Sequence, residues 1–422
     1  MSKKGYNFLI IGGGIIGLSI ACELKKRRPD ASCAILEKEA DCGLHASGRN
    51  SGVLHAGFYY TADSLKARFS KVGNQLLKEY CKEKKIHVNN CGKLVVAKNE
   101  GELAGLDELL RRAKANSVEL HLISRQEAEK IEPRVLTFEK ALFSPTTASV
   151  NPVQVISALK EDAKREGIDL LTNTCYKGKT SEGILTTAGP IAADFVINAA
   201  GLYADKIAFD FGHSKNYRIL PFKGLYLYSD EPVGAIRTNI YPVPDLNYPF
   251  LGVHFTLTDT GHIKIGPTAI PALWREQYQG LSRFRSDEFL DIAKRQMKLF
   301  FSSTFDFKTL AFQEMQKYMG RKMVSLAGEL LKGVQTSQYR NWGKPGIRAQ
   351  LFDISKNKLE TDFVLEGDGT SLHVLNVVSP GFTSALPFAQ FVVDRAESLL
   401  LYSGLSPSSI LDNAKAPAVE RS

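Results

Sequence analysis

The chain of 422 residues contains no apolar run near the ~20 residues that a membrane-spanning helix needs. It has no low-complexity tract and no repeat of fixed period, which argues against fibrous and solenoid architectures. Six cysteines are present (Cys22, Cys33, Cys42, Cys81, Cys91 and Cys175), yet none forms a CxxC pair or a metal-like spacing. No metal site is therefore expected, and the thiols read as free side chains in a reducing compartment. The N-terminal "FLIIGGGIIGLSIA" is apolar enough for a signal core, but a glycine triplet interrupts it and no small-residue cleavage site follows. The chain enters its first strand almost at once, leaving no room for a transit peptide, so a cytoplasmic protein is expected.

Acidic residues are the scarcer charge. Lys and Arg number 54 against 45 Asp and Glu, for a net charge of +9. Thirteen basic and seven acidic residues lie between Pro271 and Pro345, which concentrates the excess there. A basic region attracts anionic substrates, nucleic acid or an acidic membrane face; a solvated helical surface is the alternative. Nothing else points to nucleic acid, and no such partner is expected. Met319, Met323, Leu326 and Leu330 form an apolar stripe beside Lys317, Arg321 and Lys322. One reading is a helix lying on the inner face of an anionic bilayer, within reach of a quinone; the other is core or interface.

What is present begins with "NFLIIGGGIIGLSIACELKKRRPDASCAILEKE", which reads as strand, glycine turn, helix, strand. Gly12, Gly14 and Gly17 match G-x-G-x-x-G. They permit the tight turn, the approach of backbone to a pyrophosphate, and close packing of helix on strand. The helix that starts near Ile15 and Ile16 offers its amides and positive dipole end to phosphates. Glu37 ends the second strand, where a carboxylate accepts from ribose hydroxyls.

Together these elements indicate a dinucleotide site, and later segments favour FAD over NAD. "ADFVINAAGLYADKIA", with Ala200 and Gly201, is similar to the late strand of flavoproteins whose FAD domain is assembled from separated segments. "LHVLNVVSPGFTSALPFAQFVVD", with Gly381, Phe382 and Thr383, reads as a last strand, a turn and a helix aimed at the flavin ring. No second nucleotide fingerprint appears, which argues against a separate NADPH-binding domain.

The expected fold class is α/β: a Rossmann-like FAD-binding domain assembled from residues 1–90, 150–212 and 346–405, with a mixed-sheet α+β substrate domain from 91–149 and 213–345. Residues 406–422 read as a tail. Local signals include a cap at Asp63 or Ser64, a capping box at Ser124 and Glu127, and Asn151-Pro152 opening a helix. Aromatic-rich strands begin near Tyr217, and residues 281–335 read as mainly helical.

"SGRNSGVLHAGFYY", "CGKLVVA", "YPVPDLNYPFLGVHFT", "IGPTAI", "WREQY", "GIRAQ" and "SPGFTSAL" carry a resemblance to the L-2-hydroxyglutarate dehydrogenase/oxidase family. That family lies within the D-amino-acid-oxidase-like flavoproteins. The chain departs from it at Asn247, Lys223, Leu225 and Thr268 and in "SPTTASVNP". The resemblance implies FAD-dependent oxidation of L-2-hydroxyglutarate to 2-oxoglutarate by hydride transfer to flavin N5, with electrons passed to a quinone or to oxygen. Oxidation of a small amino acid, an N-methyl amino acid or glycerol phosphate is the rival reading. A flavin-binding subunit without turnover is a third.

Oxidising a secondary alcohol requires a base for the hydroxyl proton, and histidine suits neutral pH. His55 and His254 are the candidates. His55 also sits in a segment similar to the one whose histidine bonds FAD covalently in dimethylglycine and sarcosine dehydrogenases, and a structural role remains open for both. A carboxylate favours arginine's planar fork. Arg348 is the first candidate for substrate binding, followed by Arg275, Lys223 and Tyr60. Lys38, His45, Ser47, Arg49, Asn50, Ser51 and Gly52 complete the expected cofactor lining.

Overall fold

The computed structural model describes residues 5–181, 183–245, 251–302 and 307–402. Asn247 and the tail 406–422 lie outside the described residues. The first strand, β1 (Gly5–Ile11), buries Phe8, Leu9 and Ile10 completely. Helices cover both of its faces, so an unbroken apolar run is the stable pattern. It pairs in parallel with β2 (Cys33–Leu36) on one side and with Gly189–Asn198 on the other. Asp169–Leu171 extends the sheet beyond β2, and Ser371–Asn376 extends it beyond Gly189–Asn198, both in parallel. Distant stretches of sequence thus build one parallel sheet, with antiparallel hairpin strands at its margins.

Helix α1 (Ile15–Arg27) packs on the last helix, Ala385–Tyr402, and on Pro152–Arg165. Phe8, Ile10, Leu18, Phe195, Phe388 and Val392 join in the core between them. The local signals take the expected form. Asn151 Oδ1 accepts from the amides of Val153 and Gln154 ahead of Pro152. Ser64 Oγ accepts from Ala67 N to cap α2 (Leu65–Glu83). Ser124 and Glu127 form the reciprocal capping box.

A second, eight-stranded sheet carries the aromatic segments. Its order is Tyr339–Trp342, Leu227–Ser229, Ile263–Gly266, His254–Leu257, Asn239–Pro242, Lys93–Val96, Lys140–Ser144 and His121–Ser124. Asn239–Pro242 runs parallel to Lys93–Val96 while its other neighbours are antiparallel, so the sheet is mixed. Tyr217–Gly224 and Gly346–Asp353 pair antiparallel along their whole length in a separate four-stranded sheet. That pairing brings Arg348 beside the chain reversal that leads into the second sheet.

The stripe over residues 319–330 differs from its membrane reading. Met323, Leu330 and Leu331 are buried against Phe255, Ile263 and Tyr339, and Leu326 packs at the edge of the same cluster. Only Met319 faces outward. Burial against the sheet, rather than an open apolar face, accounts for that spacing.

Candidate active site

Backbone geometry requires the glycines of the fingerprint. Gly12 has φ +115°, and a Cβ there would lie 2.5 Å from the Ala199 carbonyl oxygen. A Cβ on Gly17 would stand 1.9 Å from Gly12 O, so only glycine lets α1 approach the end of β1 this closely. Gly14 opens α1 without a side-chain cap. Ser47 Oγ accepts from Ile15 N at 3.0 Å, one turn-forming contact at an otherwise donor-rich helix end. Glu37 accepts from Gly13 N and Glu39 N, each at 2.9 Å, and burial raises its pKa.

A cavity of ≈ 680 Å³ runs from this helix end toward Arg348. Gly12, Gly14, Ile15, Ile16, Glu37 and Lys38 line its first part. His45, Ser47, Arg49, Asn50 and Ser51 line it from the following loop, and Ala200 and Gly201 from the strand opposite. Gly381, Phe382 and Thr383 close it ahead of the last helix. Gly17 and Gly52 are not on the wall. Gly17 seats α1, and Gly52, with φ +75°, lies against the Val150 carbonyl, which a Cβ would approach to 2.2 Å. Bare backbone at the crossing points, a helix N-terminus and a carboxylate at the second strand's end form a donor and acceptor set that fits FAD.

Several polar side chains on this wall are already engaged with protein. His45 bonds Tyr278 Oη at 2.7 Å through Nδ1 and Glu39 at 2.9 Å through Nε2. Lys38 bridges Glu39 and Glu276, at 2.7 and 2.5 Å. Arg49 donates to Leu44 O at 2.7 Å and lies over the Tyr278 ring. Glu39, His45 and Glu276 bring ligand-type atoms within 4.8 Å of one another, but Lys38 and Arg283 supply positive charge there.

The far end of the cavity differs in character. His55 lines it, held through its backbone N–H to Thr383 Oγ1 at 3.1 Å. Burial, and secondarily Lys93, bring the His55 pKa down to about 3. His254 is buried and stacks on Tyr241, with ring centroids 3.7 Å apart. Its Nδ1 lies 2.8 Å from the Gly252 carbonyl, so Nδ1 carries the hydrogen and Nε2 is left as an acceptor. Its pKa is also about 3, through burial first, with Lys93, His55 and Arg348 opposing protonation. These couplings place both imidazoles and Arg348 in one electrostatic neighbourhood. Arg348, partly buried, lines the cavity, and Tyr60 bonds Ser379 on the same wall.

Lys93 and Lys66 were not anticipated in this neighbourhood. Lys93 is 0 % exposed, and among the described residues its Nζ has no hydrogen-bond partner. The rings of Phe58, Tyr59 and Tyr241 surround it at 4.6, 4.5 and 4.7 Å. Burial alone brings its pKa down to about 7. A lysine within the apolar strand "KLVV" was the available signal. Tyr59, four residues after His55, is part of this cage. Lys66, in the first turn of α2, is buried near Arg348.

Two expected substrate contacts are corrected. Arg275 is 1 % exposed, and its guanidinium grips Asp205 through both oxygens, at 2.7 and 2.9 Å. It also donates to the Leu202 carbonyl. Both terminal nitrogens of this buried fork are committed to a buried carboxylate and a carbonyl, and Arg275 is absent from the cavity wall. Lys223 is buried in Tyr217–Gly224 opposite Ile347 and Ile270 and is absent from the cavity wall. Strand alternation turns it away from the space that Arg348 borders.

The sequence profile of the FAD dependent oxidoreductase (DAO) family matches residues 7–395. The chain is 36 % identical to "L-2-hydroxyglutarate dehydrogenase, mitochondrial" of Nematostella vectensis, over 93 % of this chain and 91 % of that one. The human protein so named is 35 % identical, over 94 % and 89 %. L-2-hydroxyglutarate dehydrogenase of Escherichia coli O17:K52:H18 is 33 % identical, over 94 % of each. Among solved structures, the L-alpha-glycerophosphate oxidase of Mycoplasma pneumoniae superposes with a TM-score of 0.72 at 21 % identity, covering 93 % and 95 % of the two chains. Glycine oxidase of Geobacillus kaustophilus gives 0.70 at 19 % identity, covering 98 % and 100 %. At such identities the structural likeness speaks to fold alone.

Proposed function

The chain belongs to the L-2-hydroxyglutarate dehydrogenase family of FAD-dependent oxidoreductases, and from that premise we propose that it oxidises L-2-hydroxyglutarate to 2-oxoglutarate. The observation that carries the reading is that a neutral imidazole, His55, and Arg348 line one end of a cofactor-sized cavity, with the buried imidazole of His254 electrostatically coupled to both. Neutral imidazoles accept a proton from an alcohol, and a guanidinium holds the adjacent carboxylate.

When bound, FAD supplies the two-electron acceptor, taking hydride at N5. The protein's own residues do the rest. Gly12, Gly14 and the α1 amides hold the pyrophosphate, and Glu37 the adenosine ribose. Arg348 orients the 2-hydroxy acid by its carboxylate. His55, which lines the wall beside the reacting space, is assigned as base. His254, off that wall, has its Nδ1–H fixed by the Gly252 carbonyl and keeps Nε2 as the second acceptor. Burial first, with Lys93 beside both and Arg348 beside His254, keeps the imidazoles unprotonated before substrate arrives.

Electrons leave to a quinone or to oxygen. Among the described residues no helix is long and apolar enough to cross a membrane. Exposed Met297, Phe312, Met315 and Met319, in a region of the chain rich in Lys and Arg, support peripheral contact of a cytoplasmic protein with an anionic bilayer. Flotation with anionic liposomes tests that contact, and no co-migration refutes it.

Turnover of a dye acceptor with purified flavoprotein tests the main reading. L-2-hydroxyglutarate is expected to react and its D-enantiomer not. Robust oxidation of glycine, sarcosine or glycerol 3-phosphate without any 2-hydroxy acid turnover refutes the assignment, and a yellow protein that no substrate bleaches refutes turnover altogether.

A further inference from the structure

Lys66 occupies a place that is unfavourable for a cation on three counts. It is only 7 % exposed. It lies in the first turn of α2, where the helix dipole repels positive charge. It is also close enough to Arg348 for that guanidinium to oppose its charge. Burial, the largest influence, brings its pKa down to about 8.

The surroundings offset this only in part. Asp362 attracts the ammonium, but its carboxylate is engaged by amides: Oδ2 accepts from Leu65 N at 2.8 Å, and Oδ1 from Lys66 N and Phe363 N at 3.0 and 2.8 Å. The Lys66 ammonium itself makes no hydrogen bond among the described residues. The rings of Tyr60 and Phe363 lie 5.8 and 6.0 Å from it, at the outer limit of a useful cation–π contact. Tyr60 in turn bonds Ser379, which lines the cavity together with Arg348. An under-compensated cation thus stands behind the wall that Arg348 lines.

We propose that Lys66 is the specificity-determining cation that pairs with the substrate's distal carboxylate, while Arg348 takes the carboxylate next to the reacting carbon. The inference rests on the 2-hydroxy acid reading and deepens it: two neighbouring cations suit a short dicarboxylate better than a monocarboxylate. A charge-assisted bond of this kind is worth about 10- to 100-fold in affinity.

The test titrates the flavin absorbance of the holoenzyme with glutarate and with valerate, which share a five-carbon chain but differ in the second carboxylate. Wild type is expected to prefer glutarate. Lys66→Met is expected to lower that preference about 10- to 100-fold, and Lys66→Arg to retain most of it. Lys66→Gln repeats the measurement if methionine at this site prevents FAD retention. A wild type without preference, a preference unchanged within about twofold in the uncharged variants, or equal weakening of both ligands overturns the inference. Failure is separable from that of the substrate reading. A Lys66-dependent diacid preference without L-2-hydroxyglutarate turnover removes the reading and keeps the inference, and turnover with a Lys66-independent preference does the reverse.

Discussion

Replacing Lys93 by methionine is expected to stabilise the protein at mildly acid pH and to lose that advantage as pH rises. The Lys93 ammonium is sealed from solvent, has no hydrogen bond among the described residues and has a pKa brought from the ordinary 10.5 to about 7 by burial. The folded state therefore binds this proton less tightly than the unfolded chain does. Between about pH 7 and 10.5 the unfolded chain holds more protons, so wild-type stability rises with pH across that window. Below it, the protonated lysine costs the folded state its full desolvation. At roughly 1.4 kcal/mol per tenfold change in proton affinity, the limit is about 5 kcal/mol.

The faces of Phe58, Tyr59 and Tyr241 return part of this, roughly 1–2 kcal/mol in total. Lys93→Met removes the charge while keeping most of the volume. A gain of about 3 kcal/mol is expected near pH 6, seen as a rise of roughly 3–8 °C in the apparent melting midpoint at fixed scan rate. Near pH 10 the gain is expected to approach zero. The groups that face Lys93 electrostatically, His55 and His254, titrate near pH 3, outside the window. A variant less stable than wild type near pH 6, or a gain that does not change with pH, refutes the reasoning. Activity is expected to move the opposite way, because both imidazoles protonate more readily once Lys93 is gone and the acid limb of the kcat/KM profile shifts upward.

Gly17→Ala puts a Cβ 1.9 Å from Gly12 O, which must move α1 from β1 by about an ångström or more; overpacking of this kind costs about 1–3 kcal/mol. FAD per chain after dialysis is expected to fall well below one, and full flavin retention refutes the seating role. Asp205→Asn leaves the buried Arg275 without its counter-charge and is expected to cost about 3–5 kcal/mol in denaturant unfolding while the substrate KM stays as in wild type. A large KM change with little loss of stability instead restores Arg275 as a substrate contact.

The cradle was legible because its causes are local. Gly12 needs a positive φ and Gly17 a missing Cβ, requirements that three glycines at fixed spacing satisfy before any tertiary contact exists. The caps at Ser64, Ser124 and Asn151 belong to the same class, since each side chain meets an amide two or three residues away. The far end of the cavity was legible only in residue type. His55, His254 and Arg348 stood out as chemistry-bearing side chains, but so did Arg275 and Lys223, which the fold employs elsewhere.

Sequence alone thus determined the glycine turn, the helix starts, the buried strand and the class of cofactor, all of which follow from backbone stereochemistry and hydrophobic period. Tertiary structure decided which charges meet. Asp205, seventy residues before Arg275, claims that guanidinium. Phe58, Tyr59 and Tyr241, from two distant segments, cage Lys93, and the sheet buries the Met323 stripe that otherwise reads as a membrane face. The physical reason is the same in each case. A side chain's ionisation and partners depend on the dielectric and the charges within a few ångströms, and chain reversal, not neighbouring sequence, brings those there.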